Sequence, residues 1–330
     1  MTQTTRRTVL SLGLVAGVSL VVAGLPHQAF AEWKPQKPVE FVIMAGQGGG
    51  ADRLARFIQS IIEKNNFAEV PFIPINKGGG SGADALRYLK DKKGDPHIIM
   101  ATLNSYYTTP LRNPGIGVDI NEFTPIARLA EDTFVLWVSA DSPIKSLDEY
   151  IKSVQGKGVE WKMGGTGTGQ EDSLVTAMLE KTYGVKMTYV PFKGGGDVAK
   201  NLIGGHIDST VNNPAEQMGF FQAGKARPLA ALTPERIPNF PDTPTFAELG
   251  HPELVYYMQR SVVAPGGIDA DVAAYYTDVF DKVYKSAEWQ GYCKNEALQC
   301  AWLTGDPLKA YFAEEMEKHH AVLKEMGEAQ

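Results

Sequence analysis

The sequence predicts an α/β protein built as two lobes, joined by two crossing strands, with a ligand cleft between them. Three observations carry that expectation. Short apolar strands alternate with amphipathic helices, glycine-rich turns open several of those helices, and the pattern begins again near Trp161. Strand–helix alternation implies a parallel sheet with helices packed on it. On such sheets, ligands sit beyond the carboxyl ends of the strands.

The stretch Phe41-Val42-Ile43-Met44-Ala45-Gly46-Gln47-Gly48-Gly49-Gly50-Ala51-Asp52 sets the pattern. An apolar strand at 39–44 runs into a glycine turn, and a helix follows to about residue 64. Its Leu54, Ile58, Ile61 and Ile62 fall at helical spacing. Glycines let the backbone take positive φ, and they let its N–H groups approach a ligand with no Cβ in the way. A helix start adds unpaired donors and a partial positive charge. Strand, glycine turn and helix together make an anion cradle.

A second strand is expected at 70–76, its prolines marking an edge or strand end. A turn at 77–82, a helix at 83–92, a buried strand at 98–102 and a polar loop at 104–107 follow. An apolar strand at 134–138 leads to Ser146-Leu147-Asp148-Glu149, which has capping-box spacing for a helix to 154. The second cycle has a strand at 161–164, the turn Gly165-Thr166-Gly167-Thr168-Gly169-Gln170 and a helix at 172–183. A strand at 187–190 then enters the turn Phe192-Lys193-Gly194-Gly195-Gly196-Asp197, with a helix through 203. A strand and loop at 209–213, a helix near 215–222 and a strand at 228–232 complete that lobe. The chain returns at 258–265, and helices at 270–285, 287–295 and 307–326 close it. The architecture recurs without an internal sequence repeat. Crossings are expected near 134–138 and 258–263, so lobe one comprises 32–135 plus 259–330, and lobe two 136–258.

The chain has 330 residues, 43% of them hydrophobic, as a soluble globular protein does. Arg6-Arg7 precede an apolar run at 9–24, and Ala29-Phe30-Ala31 supplies an A-x-A cleavage pattern. Residues 1–31 therefore read as a cleaved export signal, its run short of the ~20 residues that span a bilayer. The paired arginines also suit a twin-arginine signal. Removing 1–31 takes away two arginines and no acids, so the formal charge moves from −6 to −8. A mildly acidic chain without a basic cluster does not suit nucleic acid or an anionic membrane surface. An anionic ligand would have to be held by backbone amides and hydroxyls.

Cys293 and Cys300 belong to no Cys-x-x-Cys motif and have no histidines near them, so metal and redox readings are weak. An oxidising compartment favours a disulfide between them, with two buried thiols as the alternative. No glycine turn continues into the Lys-Ser or Lys-Thr of a P-loop, and Gln170 breaks the dinucleotide fingerprint. Gly79-Gly80-Ser81-Gly82-Ala83 resembles a nucleophile elbow, with Asp242 and His251 in hydrolase order. Its run of small residues suits close backbone approach better. Asp52 and Asp172 sit in first helical turns, where either macrodipole stabilisation or ligand contact accounts for them. Thr166 and Thr168 offer hydroxyl donors at a helix start. Tyr106-Tyr107 either wall an apolar ligand or pack their loop. The histidines show no metal spacing.

Taken in order, these turns resemble the extracytoplasmic substrate-binding proteins of tripartite tricarboxylate transporters, the Bug-type receptors. The resemblance runs through Gly48-Gly49-Gly50-Ala51-Asp52, Asn76-Lys77-Gly78-Gly79-Gly80-Ser81-Gly82 and Gly165-Thr166-Gly167-Thr168-Gly169. It continues in Val190-Pro191-Phe192-Lys193-Gly194-Gly195-Gly196, Gly204-Gly205-His206-Ile207-Asp208 and Pro241-Asp242-Thr243-Pro244-Thr245. It implies a type II periplasmic-binding-protein fold, non-enzymatic and without cofactor or metal, that closes on a small carboxylate. The periplasmic receptor would deliver that ligand, a di- or tricarboxylate or an aromatic acid, to a membrane permease. It also implies a ligand set of Gly48, Gly49, Gly50, Ala51, Asp52, Ser81, Asn104 and Ser105 in lobe one. In lobe two the set is Thr166, Thr168, Gly194, Gly195 and Asn212. The family places prolines and a phenylalanine before its first Gly-Gly, where this chain has Met44-Ala45-Gly46-Gln47. Gln47 is thus expected to shape ligand choice. A sensor feeding a membrane signalling protein and an exported serine hydrolase using Ser81 are the alternatives, and a monomer is the default.

Overall fold

The computed structural model describes residues 1, 2 and 33–329, so the expected signal segment falls almost wholly outside the described residues. The chain first lays down β1 (Val39–Ile43), α1 (Gly50–Asn65), β2 (Phe72–Asn76), α2 (Ala83–Asp91), β3 (Ile98–Thr102), α3 (Ser105–Arg112) and β4 (Thr124–Thr133). Next come β5 (Val135–Ser139), α4 (Leu147–Lys157), β6 (Lys162–Gly165), α5 (Glu171–Tyr183), β7 (Thr188–Pro191), α6 (Gly195–Ile203), β8 (Ser209–Asn212), α7 (Pro214–Gln222) and β9 (Ala226–Ala231). β10 (Tyr257–Ala264), α8 (Ala270–Lys285), α9 (Ala287–Asn295), β11 (Gln299–Thr304) and α10 (Gly305–Glu325) follow.

Six strands form one sheet in the order β11-β4-β10-β3-β1-β2, and five form a second in the order β7-β6-β8-β5-β9. β1 runs parallel to β2 and β3, and β6 runs parallel to β7 and β8. The sheets are mixed rather than wholly parallel, and the crossings explain why. β4 leaves the first sheet in the sense of β3, and a single residue, Phe134, separates it from β5 in the second. β10 comes back from the other sheet, so it must lie antiparallel to both β3 and β4. β5 enters its own sheet the same way, antiparallel to β8 and β9.

Apolar periodicity located most elements within a residue or two. Every residue of β3 is buried, as in a strand covered on both faces. Phe41, Phe72, Tyr276 and Phe280 meet edge to face beneath the first sheet. Trp137, Phe221 and Phe240 do so beneath the second. The Ser146 hydroxyl accepts the Glu149 N–H at 3.3 Å, while the Glu149 carboxylate takes that of Lys145 at 2.6 Å. The first bond is that of a capping box, while the return bond goes to the residue before the N-cap, so α4 opens on a one-residue variant of that motif.

Three elements, α3, β4 and the strand β11, escaped the sequence pattern. The expected loop at 104–107 is the start of α3, a helix whose buried face is tyrosine, threonine and serine rather than aliphatic. β4 was hidden because register shifts at Arg260/Ser261 and Val262/Val263 break the two-residue alternation along its ladder. Cys293 in α9 and Cys300 in β11 form a disulfide. Closing so short a loop removes unfolded-state entropy worth about 2 kcal/mol. Reduction with dithiothreitol should therefore lower the unfolding free energy in urea by about that amount, and an unchanged midpoint would contradict it.

Candidate functional site

The glycine turns after β1 and β6 open into one cavity of about 600 Å³. Gln47, Gly49, Gly50, Ala51 and Ser81 line it from the first sheet, and Thr166, Gly194 and Gly195 line it from the second. These are the sequence-expected residues that the fold brings together. Gly78 shows how tightly the first jaw is built: a Cβ there would lie 2.6 Å from the backbone of Ala45.

Each jaw is held by an aspartate. Gly48 donates its N–H to Asp52 Oδ2 at 2.9 Å, and Asp52 Oδ1 accepts from Arg56 and Asn76, both at 2.9 Å. Burial pushes the Asp52 carboxyl up, but these donors outweigh it and hold it below the usual aspartate range. Thr166 donates its N–H to Asp172 Oδ2 at 2.7 Å, the same device on the other jaw. There burial wins and lifts the Asp172 carboxyl well above that range. Gly48 and Asp52 therefore shape the turn, with neither side chain nor amide left over for a ligand.

Four more expected residues serve the scaffold or lie off the cavity. Asn104 is fully buried, donating to the Tyr257 carbonyl at 2.9 Å and accepting from the Gln259 N–H at 3.0 Å, which ties β10 in place. Ser105 spends its N–H on Glu171 Oε1 at 3.1 Å. Asn212 donates to the Gly195 carbonyl at 3.0 Å. Thr168 is exposed, and its carbonyl accepts from Arg112 at 2.9 Å. Tyr106 and Tyr107 are buried against Phe123, Phe312 and His319, so they pack their segment. The hydrolase arrangement does not assemble. His251 pairs with Glu253 and meets Tyr183 edge to face, Asp242 is exposed, and neither lines the cavity with Ser81.

The sequence reading missed four charged groups. Glu171, Glu216 and Arg260 line the cavity. Arg260 is ion-paired with Asp132 of β4, both side chains 3% exposed. Burial pushes the Asp132 carboxyl up, with Arg260 pulling against it. Glu216, from α7 of the second sheet, accepts the Gly50 N–H at the start of α1 at 3.3 Å. A Cβ on Gly195 would lie 1.7 Å from Glu216 Oε2, so a larger residue there would displace this carboxylate. Lone charges inside apolar strands, such as Arg260 before Ser261-Val262-Val263, were the available signal.

A two-lobe solute-binding protein is what this fold and cleft define. Residues 55–328 match the family described as Tripartite tricarboxylate transporter family receptor, and the chain belongs to that family. It is 27% identical to the "UPF0065 protein in gbd 5'region" of Cupriavidus necator, over 94% of each chain. It is 23% identical to Protein BugT of Bordetella pertussis, over 95% of this chain and 96% of that one. Among solved structures it superposes on the periplasmic binding protein BugD with a TM-score of 0.83 at 20% identity, covering 89% of this chain and 99% of that one. A Rhodopseudomonas palustris protein with adipate gives 0.82 at 25% identity, over 89% and 98%. MatC of the same organism, with bound malate, gives 0.77 at 21%, over 88% and 99%.

Burial, reinforced by Asp132 and opposed by Arg53 and Arg260, pushes the Glu216 carboxyl up to about 7. A raised acid binds its proton more tightly folded than unfolded, so stability falls as pH climbs through the usual glutamate range to about 7. Glu216→Gln removes that penalty while still accepting from Gly50. The variant should match the parent's melting temperature at pH 5 and exceed it at pH 8. An equal difference at both pH values would contradict the assignment.

Proposed function

We propose that this chain is a periplasmic receptor that captures a small organic carboxylate by closing two lobes and delivers it to a tripartite tricarboxylate-type membrane permease. One observation carries the reading: amide-rich glycine turns at two helix starts open into a single cavity from opposite sheets. Such turns stabilise an anion through N–H donors and helix dipoles. Membership in a solute-binding receptor family supports it, as do the adipate and malate in two structural relatives.

In this reading, 1–31 is the export signal, 32–135 plus 259–330 form lobe one, and 136–258 form lobe two. Gln47, Gly49, Gly50, Ala51, Ser81, Thr166, Gly194 and Gly195 contact the ligand. Asp52, Asn104, Ser105 and Asn212 hold the backbone that does so. The monomer binds and releases its ligand without chemistry. Bound ligand favours the closed arrangement.

A ligand that binds only the folded protein stabilises it by about 2.7 kcal/mol at a hundredfold excess over Kd. A thermal-shift screen of di-, tricarboxylic and aromatic acids should therefore raise the melting temperature by several degrees for at least one acid. Silence across the whole panel would overturn the proposal.

A further inference from the structure

Resting on the receptor reading above, we propose that the preferred ligand is a carboxylate that also carries a protonated amine, and that Glu216 selects it. Groups of both signs line the cavity. Glu171, Asp172 and Glu216 line it with carboxyl groups, against Arg260 and the exposed Lys193. The charge of Arg260 is already answered by Asp132 behind it. Asp172 is committed to the Thr166 amide, and Glu171 to the Ser105 amide of the facing lobe. Glu216 gives one oxygen to Gly50, and its other oxygen has no hydrogen-bond donor among the described residues.

The complementary half of the site is also present. Arg260 is 4% exposed, it lines the same cavity, and its Nε–H has no partner among the described residues. Its guanidinium puts a positive charge at the cavity wall, which draws an anionic ligand group. The cavity thus offers amides and the positive charge of Arg260 for a carboxylate, and a carboxylate oxygen without a donor for a cation. A second ligand carboxylate would lie against Glu216 and Glu171 in a poorly screened space. An ammonium there supplies a donor to the free Glu216 oxygen, with a full positive charge closer than those of Arg260 and Arg53. Burial and the nearby Asp132 raise the proton affinity of Glu216 in the empty cavity, against Arg53 and Arg260.

Proton bookkeeping separates the two ligand classes. Near pH 7 the empty protein holds part of a proton on Glu216. An ammonium favours the ionised form and releases that proton on binding, whereas a second carboxylate favours the neutral form and takes one up. Calorimetry at pH 7 in buffers of different ionisation enthalpy reads the sign directly. The probes are matched pairs: succinate with 4-aminobutanoate, adipate with 6-aminohexanoate, and terephthalate with 4-(aminomethyl)benzoate.

The amino acid of whichever pair fits should bind at least about tenfold tighter than its diacid, with proton release. Glu216→Gln should erase that preference by weakening the amino acid about thirtyfold and leaving the diacid unchanged or improved. Tighter binding of the diacid with proton uptake would overturn the inference and leave the receptor reading standing. An amino acid affinity unchanged in Glu216→Gln would overturn the role of that residue. Silence from every probe, together with silence in the acid screen, would overturn both.

Discussion

The structure depends on two short contacts in which an aspartate side chain holds the glycine turn that precedes its own helix. Asp52 grips the Gly48 amide and Asp172 grips the Thr166 amide. Each fixes a strand-to-helix turn whose remaining N–H groups then point into shared space. Without that restraint a glycine-rich turn has too much conformational freedom to present a defined row of donors. The two jaws are built by the same physics although their sequences differ.

What brings the jaws together is the crossing. β4 and β5 are separated only by Phe134, and β10 returns between β3 and β4. β10 and β4 carry the buried Arg260–Asp132 pair, with Arg260 in the cavity wall and Asp132 behind it. A buried ion pair is weak grounds for stability, since desolvation offsets its attraction. Its position suggests a different use, because it sets a guanidinium beside Gly50 and Glu216. The cleft therefore combines backbone amides of glycine turns with side-chain charges from β10 and α7.

Much of this was legible in the sequence because periodicity and glycine placement are local signals. β3, α5 and α6 follow directly from apolar spacing bounded by glycine turns, and the amide jaws follow from the same turns. The charged cluster was not legible. Arg260, Asp132 and Glu216 come from separate regions of the chain, and only the antiparallel return of β10 and the start of α7 bring them together. Asn104 and Ser105 show the converse. The family resemblance implies ligand contacts for them, yet tertiary structure spends them on β10 and on Glu171. β4 escaped for a third reason, since bulges remove the alternation by which a strand is recognised.

Capture between two jaws is most directly tested by hydrogen exchange on the intact protein, with and without an acid that raises its melting temperature. Closure on the ligand should slow exchange together in the segments 46–52 and 192–198, because amides of both turns would face it. Protection confined to one segment, or to neither, would contradict a ligand held between the lobes.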